Sequence, residues 1–125
     1  MKQYITYDYL LNQFICGVKR TENVDYSNKK SIRENNLGNT QYRDAAMQIS
    51  KLYPERIEDF ATMLTSDNCK IRVCCAVCLL EFMNCSKEQS NHALHIIRQH
   101  IHTASDKVEK TGFTIWLNNI SSTKE

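Results

Sequence analysis

A chain of 125 residues, 42% hydrophobic and 24% charged, holds enough apolar material for one unaided core and is too balanced in composition for a disordered or membrane protein. Its formal net charge is +2, and Lys and Arg alternate with Asp and Glu, so the continuous basic run of an electrostatic nucleic-acid binder is excluded. No apolar run approaches the roughly 20 residues of a membrane span, and the opening M-K-Q-Y-I-T-Y-D lacks the apolar core of a signal peptide. One cytoplasmic domain over 1–125 is expected, and the scarcity of breakers, one Pro and three Gly, favours helices joined by short turns.

Thr6 is placed to cap a first helix ending near Lys19, with Tyr7, Leu10, Leu11, Phe14 and Val18 recurring at three- and four-residue steps. Over 21–38 the pattern dissolves into Asn, Ser and charge, compatible with a loop or a weak helix around 26–33. Gly38 and Asn39 read as a stop and restart, so 1–38 is expected to be a capping helix and a polar connection, with the repeat region over 39–119. Tyr42, Ala45, Ala46, Ile49, Leu52 and Tyr53 then mark an amphipathic helix. Pro54 ends it and opens the next, which buries Ile57, Phe60, Ala61 and Leu64.

The most telling stretch is 64–82. Thr65 and Ser66 make a tight turn, Asp67 or Asn68 can cap, and a nearly all-apolar helix over 68–84 carries a single Arg72 near its start. Such a helix stays in water only if others cover most of its surface, so it belongs in the middle of a layered bundle. Ser86 with Gln89 has capping-box spacing for a helix on which Ala93, Ile96, Ile97, His100 and Ile101 form the buried stripe. Thr103 or Ser105 starts a last helix, with Val108, Gly112, Ile115 and Trp116 on one side and Phe113 and Ile120 at its border. The tail over 120–125 is expected to fray.

Six cysteines, five of them within seventeen residues, raise the question of disulfides or a metal: Cys16, Cys69, Cys74, Cys75, Cys78 and Cys85. Neighbours on one helix are badly placed for an S–S bond, and a reduced, buried set that lets helices approach closely is expected. Cys75-x-x-Cys78 has the spacing of a redox motif or half a zinc site, to which Cys69, Cys85, His92 or His95 could add ligands. No strand precedes it and no knuckle-forming Gly is present, so packing is the expected role and no metal or other cofactor is assigned. His100 and His102 point to different sides of their helix, and His100 is expected to be half-buried and hydrogen-bonded. No motif places a nucleophile, base and orienting group, so no enzyme is expected. Asp67 is assigned to the free N–H groups of the apolar helix, and Arg72 to a carboxylate or carbonyl in the neighbouring turn. Trp116 is either a lid on the core or a partner anchor. A concave face of Arg43, Lys51, Arg56, Lys70, Arg72 and Arg98 would be diluted by acidic neighbours, against duplex binding.

Leu64, Asp67, Ile71, Arg72, Ala76 and Leu79 resemble a HEAT repeat, whose hairpins carry an Asp in the turn, then Val or Ile followed by Arg, then Ala and Leu on the second helix. Residues 39–118, with D-N-C-K-I-R-V-C-C-A-V-C-L-L-E-F and G-F-T-I-W-L, are similar to a small bacterial family of domains of unknown function built from about two HEAT-like repeats. The periodicity predicts an all-α fold of about six helices, and the resemblance implies that they form an α-solenoid fragment of stacked hairpins, 54–65 with 68–84 and 86–102 with 105–119. Cys74, Cys75 and Cys78 stand where that family more often has Leu, Ala or Trp. Small HEAT-like proteins beside bacterial toxin genes look like immunity proteins, which implies a partner: a cognate toxin domain, bound by a chain monomeric when free, without nucleic acid or membrane. Arg43, Glu55, Glu58, Lys70, Glu81, Lys107, Lys110 and Trp116 are the candidate contact residues, the charged ones taken as exposed. The alternatives are a structural or regulatory HEAT-like module without a toxin and, behind it, a metal- or thiol-dependent enzyme.

Overall fold

Thr6, in extended backbone, accepts the N–H of Tyr9 and opens α1 (Tyr7–Lys19), whose stripe of Tyr7, Leu10, Phe14 and Val18 is buried. The computed structural model describes residues 5–103 and 107–124, with side chains described as far as Ile120. Among the described residues it is all-α, with six α-helices and no strand. No helix of the described residues is long and apolar enough to cross a membrane.

The polar connection expected over 21–38 is half helix. A short loop is tied by Thr21 to the carbonyl of Val18 and by Asp25 to Ser27 and Ser31, and then Asn28 caps α2 (Lys29–Leu52) by accepting from Lys30 and Ser31. α2 runs 24 residues without the break predicted at Gly38–Asn39. The reason lies on the other helix. A Cβ on Gly38 would stand 2.6 Å from the carbonyl oxygen of Gly17, and one on Gly17 would stand 2.6 Å from the backbone nitrogen of Tyr42. Gly38 is therefore a point of close backbone approach and not a stop. Phe14 against Tyr42 and Tyr7 against Tyr53 continue the contact, so α1 and α2 form an antiparallel hairpin.

Pro54 begins a 3-10 turn (Pro54–Arg56), followed by the short α3 (Ile57–Ala61) and a second 3-10 turn (Thr62–Thr65). The helix expected over 54–65 is thus one α turn between two tighter ones, and it still buries Ile57, Phe60 and Leu64. Phe60 meets Phe14 edge-on at 4.9 Å, joining this segment to the hairpin. Full burial of one such side chain contributes about 1.5–3 kcal/mol.

α4 (Cys69–Phe82) has nine buried residues among fourteen, on all sides of the helix, and touches α1, α2, α3 and α5. Ser86 and Gln89 bond each other's backbone N–H and open α5 (Lys87–Thr103), which packs along α4 through Ala93 and Ile97. α6 (Lys107–Lys124) lies on α5. Its inward stripe is Glu109, Phe113, Trp116 and Ile120, whereas Val108 and Ile115, expected on the buried side, are 82% and 57% exposed. Thr103 is the last residue of α5, its hydroxyl bonded to the carbonyl of Gln99, and the alternative cap Ser105 lies outside the described residues. The backbone stays helical to Lys124 where fraying was expected, and Glu125 lies outside the described residues.

Candidate functional site

Where α6 crosses above α2 and α4, it leaves a recess. Tyr42 and Arg43 of α2, Val77 and Glu81 of α4, and Glu109, Gly112, Phe113 and Trp116 of α6 line a cavity of about 350 Å³. A second cavity of about 690 Å³ shares Tyr42, Val77, Glu109 and Phe113 and continues past Val73 and Lys70 to Glu22 and Tyr26 of the first loop. Together they make one groove with an apolar floor and charged edges.

Glu81 organises the near end. The Arg43 guanidinium lies 2.5 Å from Glu81 Oε2, and the Trp116 indole N–H donates to Glu81 Oε1. Arg43 also lies over the Phe82 ring at 5.0 Å. Partial burial pulls the Arg43 pKa down, but the Glu81 carboxylate outweighs it and the net shift is upward, so the guanidinium stays charged. At the far end His100 Nε2 is 2.8 Å from Glu109 Oε1, and the His100 ring stands edge-on to Phe113. Two polar contacts to α4 and α5 thereby fix which face of α6 turns inward.

The six cysteines are not one buried set: Cys16 and Cys69, near helix ends, are exposed and Cys85 is half-buried, while Cys74, Cys75 and Cys78 of the enclosed α4 are buried. Burial pushes the Cys74 pKa up to about 11 and raises those of Cys75 and Cys78 further, so all three are protonated at neutral pH and are poor nucleophiles. Cys75 donates to the carbonyl of Phe60. Burial likewise raises the Tyr42 phenol, keeping it neutral. Among the described residues no three of His, Cys, Asp and Glu come together in a way that could hold a metal ion.

Of the candidate contact residues, Arg43, Glu81 and Trp116 converge on the groove, with Lys70 in its longer arm. Arg43 and Glu81 are not free surface charges: their side chains are 39% and 17% exposed and bound to each other. Lys107 and Lys110 are exposed on α6, while Glu55 and Glu58 sit away from the groove on the Pro54 turn and α3, Glu58 beside a separate hollow with Gln89 and His92. Arg56 pairs with Asp59 and lies 4.1 Å over Tyr7, so with Arg43 and Arg72 three of the six basic candidates for a concave face have partners within the fold.

Asp67 does not cap α4. It sits exposed in a bend, and Asn68 Oδ1 accepts the N–H of Ile71 while Asn68 Nδ2 donates to Glu22 at 2.7 Å. The Asn68 amide does both, accepting from the helix and donating to the loop, whereas an ionised carboxylate could only accept. Arg72 reaches the carbonyl of Ser66 at 2.7 Å and braces that turn. Glu109 is read from sequence as a rim residue beside Lys107 and Lys110, whereas Tyr42, Val77 and Gly112 are not singled out as site residues. Their periodicity marks them only as helix faces, and the cavity arises from three helices meeting. No protein-family model, no curated protein and no solved structure matches this chain.

Proposed function

We propose that this chain binds another protein one-to-one and, more specifically, that it is an immunity protein that blocks a cognate bacterial toxin by occluding a face the toxin needs. The observation that carries the protein-binding reading is the groove, where tyrosine, arginine and tryptophan, residue types that dominate binding energy at interfaces, line one recess as Tyr42, Arg43 and Trp116. Glu81 already holds Arg43 and Trp116, so less side-chain entropy remains to be lost on binding. The exposed Lys107 and Lys110 form a charged rim of the kind that steers encounter and rejects wrong partners. Burial and protonation of Cys74, Cys75 and Cys78 favour packing over thiol catalysis at the Cys75-x-x-Cys78 motif. The toxin, a HEAT-like solenoid arrangement of the hairpins and a cytoplasmic location rest on the resemblance carried by Leu64, Asp67, Ile71, Arg72, Ala76 and Leu79.

Purification of the tagged protein from its own cells in moderate salt, with mass spectrometry of what stays bound, tests this reading. The expected result is one partner at equal stoichiometry, encoded beside this gene, whose toxicity in a test host is removed by co-expression. Recovery of the protein alone while its neighbouring genes are expressed, or unrelieved toxicity, would overturn it.

A further inference from the structure

The longer arm of the groove carries polar groups that the fold does not use. Asn35 and Asn39, four residues apart on one face of α2 and half-buried, line the cavity of about 690 Å³. Asparagine is a poor residue for a helix interior, and among the described residues neither side chain has a hydrogen-bond partner. Lys70, half-buried on α4, lines the same space, and no carboxylate of the described residues lies within ion-pair distance of it. Glu22 lines it from the first loop. Asn68, two positions before Lys70, donates to Glu22 Oε1 at 2.7 Å and so holds this carboxylate at the start of α4. An amide carries no charge, so Glu22 and Lys70 form an open couple of opposite charge. Their neighbours do not close it: Glu109, the third charged residue of the cavity, is engaged with His100 Nε2 at 2.8 Å, and Lys107 and Lys110 do not line this space.

We propose that this arm binds a free apolar α-amino acid. Such a zwitterion carries a carboxylate and an ammonium on one carbon: Lys70 takes the first, Glu22 the second, and Asn35 and Asn39 hydrogen-bond either group without adding charge. The side chain lies against the buried Val73 and Val77 and the half-buried Phe113. A ligand with a single charge gains one member of the couple and is repelled by the other, whereas the zwitterion complements both. The cavity is of the size of small-ligand sites and leaves room for an aromatic side chain. Arg43, Glu81 and Trp116 do not line this arm, so the site does not depend on the protein-binding reading.

Isothermal titration of the full chain with L-phenylalanine, L-leucine, glycine, N-acetyl-L-phenylalanine and L-phenylalaninamide tests the assignment. The expected result is saturable one-to-one binding of phenylalanine or leucine, about tenfold weaker for glycine, which lacks the side chain, and for the two derivatives, which each lack one charge. Lys70→Gln should abolish the preference for phenylalanine over its amide. Glu22→Gln, whose side-chain carbonyl can still accept from Asn68, should abolish the preference over the N-acetyl derivative. Both variants should unfold within about 4 °C of wild type, so lost binding is not lost folding. No binding of phenylalanine or leucine, equal binding of the two derivatives, or unchanged preferences in both variants would overturn the site. Capture of a partner from cells decides the protein-binding reading separately.

Discussion

The carbonyl oxygen of Gly17 lies 2.6 Å from where a Cβ of Gly38 would stand. The obstacle is backbone on both sides, so neither helix can yield by turning a side chain. Gly38→Ala gains up to about 1 kcal/mol of helix propensity and loses about 1–3 kcal/mol to overpacking, or more if the hairpin must part. A lower urea midpoint is expected, whereas Gly112→Ala, whose Cβ meets no atom within 4 Å, should raise it. A Gly38→Ala protein as stable as wild type would mean that the two backbones do not meet there.

Asn68 and Asp67 are neighbours with unequal roles. Asn68→Ala removes the cap on α4 and the bond to Glu22, and should lower stability by about 0.5–2 kcal/mol. Asp67→Ala removes an exposed side chain and should stay within about 0.5 kcal/mol of wild type. Thermal unfolding of the two variants side by side decides the matter, and the reverse order would return the cap to Asp67.

Glu81 serves two donors, and its partners serve it unequally. Glu81→Ala leaves the Trp116 N–H and the Arg43 guanidinium without their acceptor and should cost about 1–3 kcal/mol. Arg43→Ala removes a side chain that is 39% exposed, where solvent screens the ion pair, so a loss of about 0.2–1 kcal/mol is expected. Urea titration should rank Glu81→Ala below Arg43→Ala, and added salt should narrow both differences from wild type by the screened ion pair while leaving the Trp116 part of the first.

Alkali should unfold this protein through its thiols. The folded-state pKa of Cys74, about 11, lies above the ordinary thiol value, so the folded chain holds that proton more tightly than the unfolded chain does. The resulting stabilisation is complete below about pH 9 and is lost as pH rises towards 11. At about 1.4 kcal/mol per unit this is roughly 2–3 kcal/mol from Cys74, and burial of Cys75 and Cys78 carries the decline further. Urea midpoints across that range should fall in wild type and fall less in Cys74→Ala. Parallel pH profiles would show that the thiol is not the titrating group.

What could be read from the chain depended on how local the signal was. Thr6 before α1 and the reciprocal Ser86–Gln89 box are set within three residues, and the apolar run of α4 needs no partner to show that it is enclosed. Gly38 is different: the same residue marks a stop or a crossing, and the choice depends on Gly17, which sequence does not place beside it. The face of α6 was ambiguous for a related reason. Val108, Gly112, Ile115 and Trp116 have helical spacing, and so do Glu109, Phe113, Trp116 and Ile120. Glu81 and His100, on other helices, select the second set. Arg43 and Glu81 look like surface charges until α2 and α4 bring them together across 38 positions of chain.

Enclosure of α4 also sets the order in which the molecule comes apart. To free the amides around Cys78 and Leu79, both fully buried, the α1–α2 hairpin or α5 must leave. Freeing α6, the outermost helix, asks that Trp116 and Glu109 release their partners and that a half-buried stripe be wetted. Deuterium should therefore enter α6 first and α4 last, with α4 exchanging only at the rate of global unfolding. A partner seated in the groove between α6 and the helices beneath it would slow the fastest-exchanging helix and leave the slowest unchanged, so the bound state would differ from the free one mainly in how long its outermost helix stays closed.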